Sequence, residues 1–159
     1  DLAEMDTVAF GGGSDPYIVV SADPPQILSS HNRLRSSTVL HNLNPVWEDE
    51  MEITLVSPDL DGLAKRTHIL LNVWDADVVT ADDLIGTLAI PLSDIKTACT
   101  VNGKICQDAH FTFDGELLAN GLGQGRISGC IKLSVPSFDE DLCMTYSTTT
   151  VSADCCTIA

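Results

Sequence analysis

The chain has 159 residues, with 8 lysines and arginines against 23 aspartates and glutamates, and so carries a formal net charge of −15. This balance excludes a strongly basic nucleic-acid-binding protein, because phosphate contacts need a surplus of lysine and arginine. With 44% hydrophobic and 19% charged residues the chain is too apolar for a disordered acidic tail, and its length fits one globular domain.

Short runs rich in β-branched and aromatic residues alternate with turn residues, whereas helical periodicity is weak. This pattern predicts an all-β fold, an antiparallel β-sandwich. Asn102-Gly103 is typical of a two-residue hairpin turn, and the glycine-rich stretch 121–125 is interpreted as a loop. Seven strands are predicted, over 16–22, 33–41, 47–56, 67–74, 84–91, 109–114 and 126–135.

The two ends of the chain differ in character from its middle. After Pro136 the sequence is polar and rich in serine and threonine, so we predict a domain over 1–137 and a tail without its own core over 138–159. The sequence contains no run of about 18 apolar residues, the length needed to cross a bilayer, and we expect no leader sequence because no basic stretch followed by an apolar run opens it. The cysteines lie late and no glycosylation sequon occurs, so we expect reduced thiols and a cytoplasmic protein.

Two loops concentrate carboxylates. Loops at one end of a sandwich face each other, so acidic residues from separate loops can converge, and a cluster of like charges is costly unless a cation neutralises it. Hard oxygen ligands of this kind select Ca²⁺. The alternative is a pair of solvated acidic turns, since aspartate is a common turn residue. The residues are Asp6 and Asp15 in the first loop and Asp75, Asp77, Asp82 and Asp83 in the other.

Three motifs in order carry a resemblance to a known family. They are Met5-Asp6 with Ser14-Asp15-Pro16-Tyr17, then Leu43-Asn44-Pro45-Val46-Trp47, then Trp74-Asp75-Ala76-Asp77 with Asp82-Asp83-Leu84-Ile85-Gly86. Together they resemble the C2 domain family, calcium-dependent phospholipid-binding modules of the protein kinase C-like kind. The resemblance implies an eight-stranded antiparallel Greek-key sandwich that binds two or three Ca²⁺. It also implies a strand before Asp1, so about seven strands and an N-terminal truncation are expected.

The resemblance assigns site residues at matching positions. It implies calcium-binding carboxylates at Asp6, Asp15, Asp75, Asp77 and Asp83, with further oxygens from Met5, Ala76 and Thr80. Asp82 lies beside this set, either as a turn residue or as an added negative charge. The first loop is about three residues longer than the family pattern between Asp6 and Asp15.

Apolar residues in both loops indicate contact with a membrane. Val8 and Phe10 lie in the first loop, and Val78 and Val79 lie in the loop that carries Asp75 to Asp83, which is the third loop of the family pattern. Both segments otherwise look exposed. Burying one such side chain in the acyl boundary contributes about 1.5–3 kcal/mol. The alternative for Phe10 is that it folds back into the core.

Two further features point to lipid. Arg33 and Arg35 share a strand face and, with Tyr17 and Trp74, resemble the family's phosphoinositide site, although a pair of arginines is also typical of an ordinary solvated face. The last four residues fit a prenylation box at Cys156, with Cys155 as a neighbouring palmitoylation position.

The functional hypothesis is a non-catalytic, Ca²⁺-dependent module that targets the protein to phospholipid membranes, in signalling or vesicle trafficking. No nucleophile signature or metal-type histidine spacing indicates catalysis. The alternatives are the lipid-docking regulatory domain of a larger signalling enzyme or trafficking protein, and a calcium-independent protein-interaction C2 domain. We expect peripheral membrane association.

Overall fold

The secondary structure is dominated by antiparallel strands. The computed structural model describes residues 13–25, 34–57, 59–106, 109–134 and 147–158. In these ranges the elements are β1 (Pro16–Asp23), β2 (Val46–Trp47), β3 (Met51–Ser57), α1 (Leu60–Arg66), β4 (His68–Asp75), β5 (Asp83–Pro91), α2 (Leu92–Ala98), β6 (Thr100–Val101), β7 (Lys104–Ile105), β8 (His110–Ala119), β9 (Leu122–Ser134) and β10 (Ser147–Ile158). Within the described residues, neither helix is long and apolar enough to span a bilayer.

Alternating side chains explain why the strands each bury one face. Along β4, Ile69, Leu71 and Val73 are fully buried, while the residues between them are more exposed. Successive side chains of a strand point to opposite faces, so these three share the core side. β1 buries Ile18 and Val20 on the matching side of the neighbouring strand.

The strands pair in the order β1-β4-β5-β8-β9-β10-β2, and β3 pairs with β10. Among the described residues, β5 and β8 pair only at Thr87 and Leu118, so the sheet is nearly divided there into two halves. Side chains from both halves, including Ile69 and Ile131, belong to one buried cluster. The predicted all-β antiparallel sandwich is therefore confirmed.

The predicted strand 47–56 is interrupted. β2 ends at Trp47 and β3 begins at Met51, and residues 48–50 between them are not in a strand. Trp47, Met51, Ile53 and Leu55 are all buried and lie an even number of residues apart, so strict alternation also places them on one face. The interruption affects Asp49, which has the same spacing but is only partly buried.

The predicted strand over 33–41 forms only in part. Arg33 lies outside the described residues, and Arg35 forms a single isolated bridge with Val19 of β1. Backbone hydrogen bonds still tie this segment to β1, from Val20 N–H to the Leu34 carbonyl and from Ser36 N–H to the Ile18 carbonyl. Residues 34–39 therefore line the edge of β1 without a regular ladder.

The structure differs from the sequence-based expectations at two places in the C-terminal half. The stretch 121–125 is not a loop, because β8 and β9 extend until they meet at a turn formed by Asn120 and Gly121, both with positive φ of 51° and 78°. The tail predicted over 138–159 contains β10, which pairs antiparallel with β9 and with β3. Serine and threonine content suggested a tail, but threonine and valine also favour strands, and pairing on both sides satisfies the backbone.

Candidate functional site

Three strand ends bring aspartates to one end of the sheet. Asp15 immediately precedes β1, Asp75 ends β4 and Asp83 begins β5. In the antiparallel register Pro16 pairs with Asp75, and Asp75 pairs with Asp83. Residues from two separate loops therefore lie at the same end, as the sequence predicted from loop geometry.

Reciprocal hydrogen bonds join the first and third loops. The Asp15 N–H donates to Asp75 Oδ1 at 2.6 Å, and the Ala76 N–H donates to the Asp15 carbonyl at 3.1 Å. Asp75 is only 1% exposed. A buried carboxylate needs hydrogen-bond partners to remain charged, and the Asp15 amide supplies one.

A β-bulge lies directly beneath these aspartates. Val73 pairs with Gly86 and Trp74 with Leu84, which leaves buried Ile85 as the extra residue on β5. A Cβ on Gly86 would lie 3.0 Å from the Leu117 Cβ, so a side chain at this position would crowd β8. The bulge shifts the register by one residue and places Asp83 opposite Asp75.

His41 also contacts the site, and sequence reasoning did not identify it. Its backbone N–H donates to Asp15 Oδ1 at 2.6 Å, and its Nδ1 lies 3.5 Å from the same oxygen. Gly13 has a φ of +123°, which residues with a side chain rarely adopt, and a Cβ there would lie 3.3 Å from the His41 Cα. No spacing rule links residues 26 apart in sequence, so only the fold reveals this contact.

The third loop projects from the sheet between β4 and β5. Val78 and Val79 are 97% and 93% exposed, and Thr80 is also exposed. The Asp77 N–H donates to Asp82 Oδ1 at 3.1 Å, and the Tyr17 hydroxyl donates to Asp82 Oδ2 at 2.6 Å. The hydrogen bond from Tyr17 lowers the pKa of Asp82, and the hydrogen bond from the Asp77 amide lowers it further by a smaller amount. The pKa of Tyr17 is raised mainly by burial and to a smaller extent by its hydrogen bond to Asp82.

Three of the four residues predicted to bind phosphoinositide lie close together. Tyr17 and Trp74 are cross-strand partners on β1 and β4. The Arg35 guanidinium carbon lies 3.7 Å from the centroid of the Tyr17 ring, which is a cation–π contact. Arg35 is exposed and Tyr17 is 6% exposed, so the ring forms a platform beneath the cation.

Several predicted residues cannot be placed. Met5, Asp6, Val8, Phe10 and Arg33 lie outside the described residues. The backbones of Cys155 and Cys156 belong to β10, where Cys156 pairs with Trp47.

The donor set fits Ca²⁺ by its chemistry, since hard carboxylate oxygens are the ligands this ion prefers. Among the described residues, however, no three histidine, cysteine, aspartate or glutamate side chains form a group arranged to hold a metal ion. Asp15 and Asp75 instead accept hydrogen bonds from backbone amides. Their carboxylates would have to exchange or share these partners to bind calcium.

Comparison with known families identifies the class of this protein. The family model for the C2 domain matches residues 1–106, and the chain belongs to the C2 domain family. This domain is a non-catalytic module, although it also occurs in enzymes. A solved structure of a C2 domain from plant Extended Synaptotagmin 1 has a similar fold, with a TM-score of 0.53 and 17% identity over 96% of this chain and 83% of that one.

Three curated relatives each match the chain over more than half of its length. An eye isozyme of protein kinase C from Drosophila melanogaster is 33% identical over 96 residues, covering 60% of this chain and 12% of the relative. C2-DOMAIN ABA-RELATED 6 from Arabidopsis thaliana is 32% identical over 92 residues, covering 58% of this chain and 42% of the relative. Rabphilin-1 from Caenorhabditis elegans is 34% identical over 93 residues, covering 58% of this chain and 8% of the relative. The chain thus spans less than half of each of these relatives, and its family supports a membrane- or lipid-binding module.

Proposed function

We propose that this domain is a Ca²⁺-dependent module that targets its protein to phospholipid membranes. One observation carries the proposal: Asp15, Asp75 and Asp83 lie at the end of the sheet from which the third loop projects two almost fully exposed valines. A cluster of carboxylates and an apolar tip are thereby combined on one surface. The proposal places the protein in the cytoplasm, associated peripherally with membranes.

Calcium would be held by the carboxylates of Asp15, Asp75, Asp77 and Asp83, together with Asp6, for a total of two or three ions. Met5, Ala76 and Thr80 are proposed as additional oxygen ligands. Bound Ca²⁺ supplies positive charge with open coordination positions for phosphate oxygens. Without it, the clustered carboxylates repel an anionic lipid surface, so the ion acts as a switch.

The exposed valines would then enter the acyl boundary. Val78 and Val79 gain about 1.5 kcal/mol or more each on full burial, which exceeds the contribution of a surface ion pair. Val8 and Phe10 are proposed to act in the same way from the first loop.

A phosphoinositide headgroup is proposed as a second ligand, bound by Arg35 and Arg33 with Tyr17 and Trp74. The cation–π contact supports this proposal because it holds the Arg35 guanidinium on a rigid ring at the sheet surface. Replacing Arg35 with Ala should weaken binding to phosphoinositide vesicles and leave binding to other anionic vesicles unchanged.

Lipid modification at Cys155 and Cys156 stays a prediction. Cys156 and Thr157 pair with β2 in the described sheet, so the backbone at the proposed prenylation position belongs to a strand. A lipid on Cys156 would therefore have to be attached without loss of this pairing, or the end of β10 would have to leave the sheet.

Liposome cosedimentation with and without Ca²⁺ tests the proposed function. We expect calcium-dependent binding that is lost in the double variant Asp75→Asn, Asp77→Asn. Its matched control is Asp94→Asn with Asp114→Asn, which removes the same charge from α2 and β8 and should bind like the wild type. Equal binding of the wild type with Ca²⁺ and with a chelator would refute the calcium switch.

A calcium-independent interaction module is the second candidate function. The observation that favours it is the hydrogen bonding of Asp15 and Asp75 to backbone amides, with no complete ligand group in the described ranges. Failure of the wild type to bind Ca²⁺ would favour this function.

A further inference from the structure

Asp82 links two parts of the molecule that are distant in sequence. Its Oδ2 accepts a 2.6 Å hydrogen bond from the Tyr17 hydroxyl on β1, and its Oδ1 accepts a 3.1 Å hydrogen bond from the backbone N–H of Asp77 in the third loop. Each carboxylate oxygen therefore has a different partner. Together the two bonds connect the loop to the sheet.

The sheet end of this connection is held in place by packing. Tyr17 is 6% exposed, pairs across the strands with Trp74, and has the Arg35 guanidinium stacked on its ring. The position of its hydroxyl is therefore set by β1 and β4 and not by the loop. A hydrogen bond to such an anchored group restricts the loop more than one to a free side chain would.

We propose that Asp82 is a positioning residue for the third loop, held by Tyr17, and that this pair orders the backbone at Asp77 for calcium binding. The inference about calcium rests on the proposed function. It differs from a direct role, in which Asp82 would bind the ion or simply add negative charge near it.

The Tyr17→Phe variant separates the two roles because it removes the hydroxyl without changing any charge. If Asp82 positions the loop, losing the hydroxyl disorders Asp77 and weakens Ca²⁺ binding. If Asp82 binds the ion directly or adds negative charge near it, losing the Tyr17 hydroxyl frees a carboxylate oxygen of Asp82. Ca²⁺ binding then stays equal or becomes tighter. Weaker Ca²⁺ binding by Tyr17→Phe therefore indicates the positioning role, and equal or tighter binding indicates the direct role.

The first measurement is amide hydrogen exchange of the full chain by NMR in the absence of Ca²⁺. In Tyr17→Phe and in Asp82→Ala, the Asp77 amide should exchange about three- to tenfold faster than in the wild type, the loss expected for one hydrogen bond. Thr67→Val is the matched control, because Thr67 is buried at the opposite end of β4 and its hydroxyl has no partner in the described structure. Unchanged exchange at Asp77 in both test variants would overturn the proposal.

The second measurement is Ca²⁺ affinity by calorimetry for the wild type, both single variants and the double variant. Each single variant should bind about three- to tenfold more weakly. The double variant should lose no more than Asp82→Ala alone, because residues acting through one hydrogen bond are not additive. Equal or tighter binding by Tyr17→Phe, or additive losses, would overturn the positioning role.

The two measurements also separate this inference from the proposed function. A wild type that binds no Ca²⁺ would refute the proposed function and with it the calcium part of the inference. The exchange experiment would still decide whether Tyr17 and Asp82 hold the loop.

Discussion

The carboxylate of Asp75 is buried at one end of the sheet, close to three other aspartates. It is 1% exposed and accepts a hydrogen bond from the Asp15 amide, which offsets part of the cost of burying this carboxyl group. Sequence spacing predicted that Asp15, Asp75, Asp77 and Asp83 would converge, because strand ends and loop order determine that arrangement. It could not predict the bonding of Asp82 to Tyr17 or of His41 to Asp15, because these contacts join residues 65 and 26 apart through side-chain packing.

Replacing Asp75 with Asn should have opposite effects on calcium affinity and on stability. Ca²⁺ affinity should fall at least about tenfold, because one anionic ligand is lost. The calcium-free domain should become more stable by about 0.5–2 kcal/mol, because an amide oxygen can still accept the Asp15 N–H while repulsion among the aspartates decreases. Calorimetric titration and urea unfolding in a chelator measure the two effects. A calcium-free domain that loses stability would show that the charge of Asp75 is structurally required.

The exposed valines should determine membrane binding without affecting the metal. The double variant Val78→Ser, Val79→Ser should reduce vesicle partitioning at saturating Ca²⁺ by at least about tenfold, while its Ca²⁺ affinity in solution stays unchanged. Val101→Ser is the control, because Val101 is 52% exposed on the β6–β7 hairpin, which follows the far end of β5. Partitioning that stays at the wild-type level in the double variant would contradict insertion of the third loop.

Among the secondary-structure elements, β10 makes the connections that were least expected. In the described residues β3 pairs only with β10, and β2 also pairs only with β10, so β10 alone joins both of them to β9. Short β-rich runs bounded by turn residues made β4 and the part of β9 after residue 125 predictable from sequence. The composition of β10 resembles that of a tail, and α1 and α2 have only seven residues each, which is too short for a helical period to stand out.

A proline in β10 should lower the stability of the whole sheet and not only that of the C-terminal segment. Val151 pairs with Ile53 of β3 and with Leu133 of β9, so Val151→Pro removes a ladder hydrogen bond from an interior strand. We expect a loss of about 1–3 kcal/mol in the free energy of unfolding. Val151→Ala keeps the backbone N–H and serves as the control. Equal stability of the two variants would show that β10 pairing does not support the sheet.

Over the whole molecule, acidity limits how the domain can attract a membrane. Two bound Ca²⁺ ions would change the formal charge from −15 to −15 + 4 = −11, so the loaded domain stays acidic. General attraction to anionic lipid therefore cannot account for binding. The all-β class and the position of the clustered aspartates were predictable from strand patterns and loop motifs. The near division of the sheet between β5 and β8 was not predictable from sequence, because it depends on how the two halves pack.

Salt should separate the sources of membrane affinity. At saturating Ca²⁺, raising ionic strength from about 0.1 M to about 0.5 M should leave most vesicle binding intact, because inserted apolar side chains are insensitive to screening. Cosedimentation over a salt series measures this. Loss of nearly all binding at the higher ionic strength would indicate charge attraction instead of insertion.

Aspartates from separate loops are proposed to form one calcium site. A two-dimensional ¹H–¹⁵N NMR titration of the full chain with Ca²⁺ tests it most directly, because each amide reports its own surroundings. We predict saturable shifts at Asp15, Asp75, Asp77 and Asp83 together, with α1, α2 and the β6–β7 hairpin unaffected. An absence of shifts at millimolar Ca²⁺, or weak shifts spread over acidic residues across the surface, would contradict the account.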